Sequence, residues 1–270
     1  MIVADSTAQV PAGVDTSTPS IARVYDYFLG GKDNFACDRQ VAEQLRTAVP
    51  EAATMAAQNR AFLGRVVQFL AERGIRQFID IGTGLPTQNN VHQVAQAVAS
   101  DARVVYVDND PIVLAHARAL LAENPNTIAV QGDLRRPADI LANPRLRELI
   151  DLDQPVAFLL VGILYFLTDE DAPFDIVATL REAMSPGSYL AVSHVVSDDQ
   201  PDAISTAQEI YRSFLRRAGD ARRTRAQVES FFTGLELVDP GLVYVRDWHG
   251  DDTPDLSPVT WMVGGMGCKP

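Results

Sequence analysis

Phe78-Ile79-Asp80-Ile81-Gly82-Thr83-Gly84-Leu85-Pro86-Thr87 decides the fold of this chain. An apolar strand over 77–81 runs up to a tight glycine turn, and a helix is expected over 87–100. Glycines in such a turn let the backbone approach a ligand closely, and the first amides of the following helix can face an anion. Asp80, two residues before Gly82, narrows the choice of ligand. A dinucleotide-binding strand stays apolar up to its G-x-G-x-x-G, because its amides must receive a pyrophosphate. A carboxylate at this point repels a diphosphate and suits a ligand that carries an ammonium group. The third glycine of such fingerprints is absent, and Pro86 and Thr87 stand there instead.

Outward from this turn, strands and helices alternate. Strands are expected over 103–107, 127–131, 156–161 and 189–195. Between them lie helices over 87–100, 111–123, 137–149 (broken near Pro144) and 169–184. The run 156–161 is nearly all apolar, as a central parallel strand must be. This alternation predicts an α/β fold, a Rossmann-like doubly wound parallel sheet. Its ligand belongs beyond the carboxyl ends of the strands. Two late strands, over 242–248 and 259–265, are separated by a polar loop too short for a crossover helix, so they must pair as an antiparallel hairpin. A helical insertion is expected near 198–223, with a helix over 203–218. Thr224 and Gln227 then read as a capping box.

Before the first strand, residues 1–18 are small and polar and read as a disordered tail. Residues 19–74 read as an N-terminal helical cap of three helices, leaving 75–270 for the sheet domain. The 270 residues are 47% hydrophobic, enough for a full core, and carry a formal charge of −12. That charge repels phosphate backbones, which argues against nucleic acid as a partner. No apolar run is long enough to span a membrane. Without a basic stretch leading into an apolar one, the expected compartment is the cytoplasm. The two cysteines, Cys37 and Cys268, fit no metal spacing, and no metal is expected.

Several residues on the binding edge are fit for chemistry. Asp108 ends the second strand, where a carboxylate can accept both hydroxyls of a ribose; neighbouring Asp110 is better placed to cap the next helix. Asn109 lies beside it. Asp133 follows the third strand, as a ligand acid or an ordinary Asx turn. The fourth strand ends in Gly162-Ile163-Leu164-Tyr165-Phe166, an apolar and aromatic edge that suits a small organic partner. Gly162 and Tyr165 are the pocket candidates there. His194, near the end of the fifth strand, is either a proton acceptor for a hydroxyl or a hydrogen-bonded structural histidine. The stretch Arg23 to Arg39 is dense in Tyr, Gly-Gly, Lys, Asn and paired Asp and Arg. It reads either as a capped helix pair with a solvated Gly30-Gly31 loop or as a lid over the ligand.

Asp80-x-Gly82-x-Gly84 resembles the first motif of the class I S-adenosylmethionine (SAM) methyltransferases, whose ligand carries an amine and a sulfonium but no phosphate. Tyr25-Asp26-Tyr27-Phe28-Leu29-Gly30-Gly31-Lys32-Asp33-Asn34-Phe35, Asn59-Arg60-Ala61-Phe62-Leu63 and Asn90-Val91-His92 resemble one bacterial branch of that family. The similarity runs from about residue 19 onward and includes Asp239-Pro240-Gly241; Gln93 stands where that branch has Glu. The resemblance implies a class I fold of five parallel strands closed by the antiparallel hairpin, with SAM as cofactor. It places Asp80, Gly82, Thr83 and Gly84 at the amino-acid end, Asp108 and Asn109 at the ribose and adenine, and Asp133 with the Leu134 amide at the adenine edge. Gly162 then lies near the sulfonium. Arg23, Lys32 or Arg60 pairs with the methionine carboxylate, while Tyr27, Gly31 and Asn34 shape the pocket. His194 and Tyr165 are the candidates for catalysis. The leading expectation is methyl transfer to a small-molecule acceptor, with oxygen slightly favoured over nitrogen. An NAD-dependent oxidoreductase and a non-catalytic SAM-binding protein are the alternatives.

Overall fold

The computed structural model describes residues 15–86, 89–121, 124–215, 219–250 and 261–270. Three helices come first: α1 (Ile21–Phe28), α2 (Ala36–Ala48) and α3 (Ala52–Glu72). The alternating part follows as β1 (Gln77–Ile81), α4 (Val91–Val98), β2 (Arg103–Asp108), α5 (Pro111–Leu120), β3 (Thr127–Gln131), α6 (Pro137–Leu141), α7 (Pro144–Leu149), β4 (Ala157–Val161), α8 (Pro173–Glu182) and β5 (Tyr189–Val195). The chain then forms α9 (Pro201–Leu215), α10 (Arg225–Glu229), β6 (Glu236–Leu237), β7 (Val243–Tyr244) and β8 (Met262–Cys268).

The sheet order is β3-β2-β1-β4-β5-β8-β6, with β7 also paired to β8. β1 to β5 are parallel, and β8 runs antiparallel to β5, β6 and β7. Strand order reverses between β1 and β4, the switch point at which open α/β sheets bind ligands. The expected antiparallel finish is present, with different partners. β7 and β8 pair through only Val243 with Gly264 and Tyr244 with Val263. The main partner of β8 is β5, over seven residue pairs. β6, which the sequence pattern did not suggest, pairs with the far end of β8. Most of the loop expected between the two late strands, and the first two residues expected of the second, lie outside the described residues (251–260).

Each face of the sheet is covered. α3, α4 and α5 pack on one side, where Phe62, Val66 and Leu70 of α3 meet Phe78, Leu159 and Met266 of the strands. α6, α7, α8 and α10 cover the other, with Ile176 and Val177 against Ile79, Phe158 and Leu160. Each such side chain, fully buried, contributes roughly 1.5–3 kcal/mol. α3 therefore belongs to the sheet layer, although it was grouped by sequence with the cap. The smaller helical unit is α1 and α2 packed on α9: Val24, Val41 and Leu45 meet Ile210, Tyr211 and Phe214. No helix among the described residues is long and apolar enough to cross a membrane.

The helix after the glycine turn begins later than expected. α4 starts at Val91, and Asn89 just before it has φ +56. The Asn90 amide donates to Gln93 Oε1 at 2.9 Å, the reciprocal half of a capping box. Gln93 thus performs a capping role that needs no charge. The glycine turn and the helix amides are separated by this segment, so the turn itself is the part that faces a ligand. Thr87 lies outside the described residues.

Candidate functional site

A cavity of about 600 Å³ lies at the carboxyl ends of β1, β2, β3 and β4. It is within the range of roughly 300–1,000 Å³ that takes drug-sized ligands. Asp80, Gly82, Thr83, Gly84, Asp108, Asn109, Asp133, Leu134, Gly162 and Arg60 all line it, together with Arg23. The topology accounts for this convergence: adjacent parallel strands end on one edge, so a polar residue at each end must face the same space.

The glycine turn is held by a hydrogen bond from the Gly82 amide to the Val107 carbonyl at 2.8 Å. Gly82 and Gly84 have φ +76 and +67, a region that L side chains rarely adopt. Around Gly84 there is open space where a side chain would begin, so a ligand can reach the backbone. Asp80 is almost fully buried at the floor of the cavity. Burial raises its carboxyl to about 7, with Asp108 adding to the rise and Arg60 pulling against it. A carboxylate and a guanidinium, close enough to act on each other at one end of a cavity, match the ammonium and carboxylate of an amino acid. Arg60 is oriented by a hydrogen bond from its guanidinium to Asn90 Oδ1 at 2.9 Å.

Asp108 accepts from the Gly84 amide at 3.0 Å and, through its other oxygen, from the Asp110 amide at 2.9 Å. Each oxygen keeps a second lone pair for a ribose hydroxyl. Asp110 caps α5 by accepting from the Ile112 amide, as expected. Asp133 forms an Asx turn, accepting from the Arg135 amide at 3.0 Å, and its carboxylate is paired with the Arg135 guanidinium. The Asx-turn reading holds, and the turn sets Asp133 on the cavity wall.

The N-terminal stretch does something other than expected. Lys32 is exposed and lies outside the cavity wall, as do Tyr27, Gly31 and Asn34. Tyr27 donates its hydroxyl to Glu43 at 2.6 Å. Asp26 accepts from Asn34 Nδ2 at 2.8 Å and from the Asp33 amide at 3.0 Å. Any side chain at Gly31 would collide with Asp26. This polar density ties the loop to α1, whereas Arg23 and Tyr25 of the same stretch line the cavity. Arg23 lines the cavity, but its guanidinium forms a buried ion pair with Asp38 at 2.9 Å and donates to the carbonyls of Asp15 and Thr18. It is a brace for residues 15–20. Of the expected tail, 1–14 lie outside the described residues, whereas Asp15 and Thr18 form cavity wall. Ser20 adds a second tie, donating its hydroxyl to Asp110 Oδ2 at 2.7 Å.

His194 does not face the cavity. It is 1% exposed, Nδ1 is engaged with the neighbouring Val195 carbonyl, and its ring lies between those of Tyr165 and Phe231. Burial lowers its imidazole to about 4. It is a neutral structural histidine, and the pleat of β5 explains why: Ser193 takes the opposite face. Ser193 Oγ donates to Asn59 Oδ1 at 2.7 Å, and Asn59 Nδ2 donates to the Tyr25 hydroxyl at 3.1 Å. Asn59 and Tyr25 both line the cavity. Neither was singled out from sequence as a site residue; the sequence signal available was an Asn-Arg pair on the apolar helix α3. Tyr165 lies behind Gly162, and burial raises its hydroxyl well above its usual range, so it remains protonated at neutral pH.

The profile of the S-adenosyl methyltransferase family matches residues 7–270, and the chain belongs to that family. A DUF574 family protein from Streptomyces avermitilis MA-4680 is 42% identical over 95% of this chain and 99% of its own, with a TM-score of 0.89. A candidate methyltransferase from Thermobifida fusca YX is 44% identical over 97% of this chain and 99% of its own, with a TM-score of 0.90. The plantazolicin methyltransferase BpumL, solved with S-adenosylhomocysteine (SAH), shares the fold at 10% identity and a TM-score of 0.50, covering 92% of this chain and 95% of its own. No curated protein matches the chain. The protein is a SAM-dependent methyltransferase, and its cavity fits that cofactor. Its wall carries carboxyl groups, a guanidinium and open glycine backbone, groups of the kinds that an amino-acid end and a nucleoside call for.

Proposed function

We propose that this methyltransferase acts on a small organic acceptor, with oxygen slightly favoured over nitrogen, and that it works in the cytoplasm. One observation carries the reading. The cavity edge beyond Gly162 is built from Ile163, Phe166 and Leu167, with Tyr165 behind them; an acceptor there would lie beside the sulfonium if Asp80 and Asp108 held the two ends of the cofactor. The run Gly162–Leu167 carries no charged side chain, so an uncharged organic acceptor group is the better match at this edge.

Bound SAM supplies a methyl group already activated by its sulfonium, and alignment with the acceptor can supply much of the acceleration. The chain contributes orientation. Asp80 holds the ammonium, Arg60 the carboxylate, and the glycine turn permits close approach. Asn59, fixed by Ser193 and Tyr25, keeps α1 and α3 seated against the Gly162 edge. No side chain is assigned as general base: His194 is enclosed away from the cavity, and Tyr165 stays protonated; the proton released as the acceptor oxygen gains the methyl and SAH is left would pass to solvent water. Turnover of methyl-labelled SAM against a metabolite extract tests the proposal. A labelled small product supports it, whereas SAM binding by calorimetry with no labelled product from any extract points to a non-catalytic SAM-binding role.

A further inference from the structure

Residues 15–20 form neither helix nor strand, yet Asp15, Thr18 and Pro19 are cavity wall. Side chains on two helices pin this strap. Arg23, buried on α1, donates to the carbonyls of Asp15 and Thr18, the first at 3.1 Å. Asp38, buried on α2, pairs with Arg23 and accepts from the Ser20 amide at 2.9 Å. Cys37, beside it, donates its thiol to the Thr16 carbonyl at 3.0 Å. The strap therefore belongs mechanically to α1 and α2.

One bond ties it to the sheet edge as well. Ser20 stands at the N-cap of α1, where a serine hydroxyl ordinarily accepts from an amide of the first turn. Here it caps nothing. It donates instead to Asp110 Oδ2 at 2.7 Å, while Asp110 Oδ1 caps α5. Asp110 follows the end of β2, and its amide donates to the Asp108 carboxylate. Ala22 packs nearby on Leu85, Ile112 and Val113. All of these groups belong to the chain, so the strap is fastened on both sides without help from a cofactor.

We propose that residues 15–20 are a latch over the cofactor cavity and that the Ser20–Asp110 bond is its catch: SAM enters, and SAH leaves, only while that bond is parted. The proposal rests on the cofactor's place in this cavity and not on the nature of the acceptor. Energetics choose the catch. Separating Arg23 from Asp38 would leave two buried charges without partners, which is strongly unfavourable. Ser20 and Asp110 are half-buried, so water can replace either partner, and a hydrogen bond exchanged for water costs little. The strap parts from Asp110 and stays with α1 and α2. Opening then stands in series with methyl transfer, and release of SAH waits on it.

Surface plasmon resonance with SAH over the immobilised protein tests this. Ser20→Ala removes the catch without removing a helix cap. The catch closes the free and the loaded protein alike. Association and dissociation should therefore both quicken by the same factor, about two to ten, with Kd held within about twofold. Ser20→Thr, which keeps the hydroxyl, should restore the original rates. Amide hydrogen exchange over residues 18–24 should quicken in Ser20→Ala, with or without SAH. Faster dissociation at unchanged association overturns the latch, because the strap would then be a cover that folds down after binding. Rates and exchange that do not move overturn it too, leaving the strap a fixed wall. SAH binding is read first in the unaltered protein. Its absence there overturns the cofactor's place in the cavity and the latch together, whereas binding with unmoved rates overturns the latch alone.

Discussion

Two regions of this chain look alike in sequence and differ in where the fold delivers their polar groups. The strand-end acids Asp80, Asp108 and Asp133 all face one cavity. The segment from Asp26 to Arg39 is richer still in polar groups and glycine, yet it spends them on itself: Asp26 on Asn34, Asp38 on Arg23, Arg39 on the Asn34 carbonyl. The difference lies in what precedes each residue. An apolar parallel strand has no freedom over where it ends, so its last carboxylate is delivered to the binding edge. A helix-loop-helix has no such edge, and its polar groups satisfy the loop backbone that a tight turn would otherwise leave unpaired.

Substitutions on the two sides can break or sharpen that contrast. Asp80→Asn should weaken SAM binding the most, by about 2–5 kcal/mol, because it removes one partner of a buried charge pair. Calorimetry measures it. The pH profile is part of the same test. The Asp80 carboxyl of the free protein sits at about 7, and holding an ammonium needs its ionised form. SAM affinity should therefore be level above about pH 7 and fall about tenfold per unit below it, and Asp80→Asn should flatten that slope. Stability has its own sign. A carboxyl raised on folding binds more protons in the folded state, so its contribution becomes unfavourable as pH rises from the usual carboxylate range towards 7. Thermal unfolding of the ligand-free protein at pH 8 should show Asp80→Asn as the more stable form.

Asp108→Ala should cost about 1–3 kcal/mol of nucleoside affinity, seen equally with SAM and SAH; unchanged affinity would remove Asp108 from the ribose. On the other side, Asn34→Ala should lower unfolding free energy by about 1 kcal/mol, read by urea denaturation, with SAM affinity within twofold. A large loss of SAM affinity there would return the Gly30-Gly31 segment to the ligand and erase the contrast. Lys32→Ala should be the smallest, within about 0.5 kcal/mol in stability and without effect on SAM binding.

The parallel sheet and the acids at its edge were legible because strand periodicity and topology act locally and then uniquely: once β1 to β3 are placed, Asp80, Asp108 and Asp133 have nowhere else to go. Long-range convergence was not legible. Asn59 meets Ser193 across 134 positions and Tyr25 across 34, and nothing local at any of the three marks the meeting. His194 shows a different limit. A histidine near a strand end is one residue from either face, and the pleat turned Ser193 towards Asn59 and His194 into the apolar layer. Arg23, one of three cations offered for the methionine carboxylate, has a buried partner in Asp38, which local sequence does not reveal because Asp38 lies on another helix.

β8 is the last of the described strands in chain order and lies second from the edge of the seven in line, between β5 and β6. It is also rich in glycine, and its residues sit where side chains would strike Phe62, Phe232 and Leu235. Chain order and sheet order therefore disagree at this point. During synthesis, β5 emerges well before its neighbour and presents an open row of backbone donors and acceptors, the kind of edge that invites pairing with another chain. Until Met262 to Cys268 slots in, β6 has no partner and α3 lacks part of its floor. Completion of this enzyme is thus a closing event, set by the arrival of a seven-residue strand whose three glycines, Gly264, Gly265 and Gly267, fit where side chains would collide.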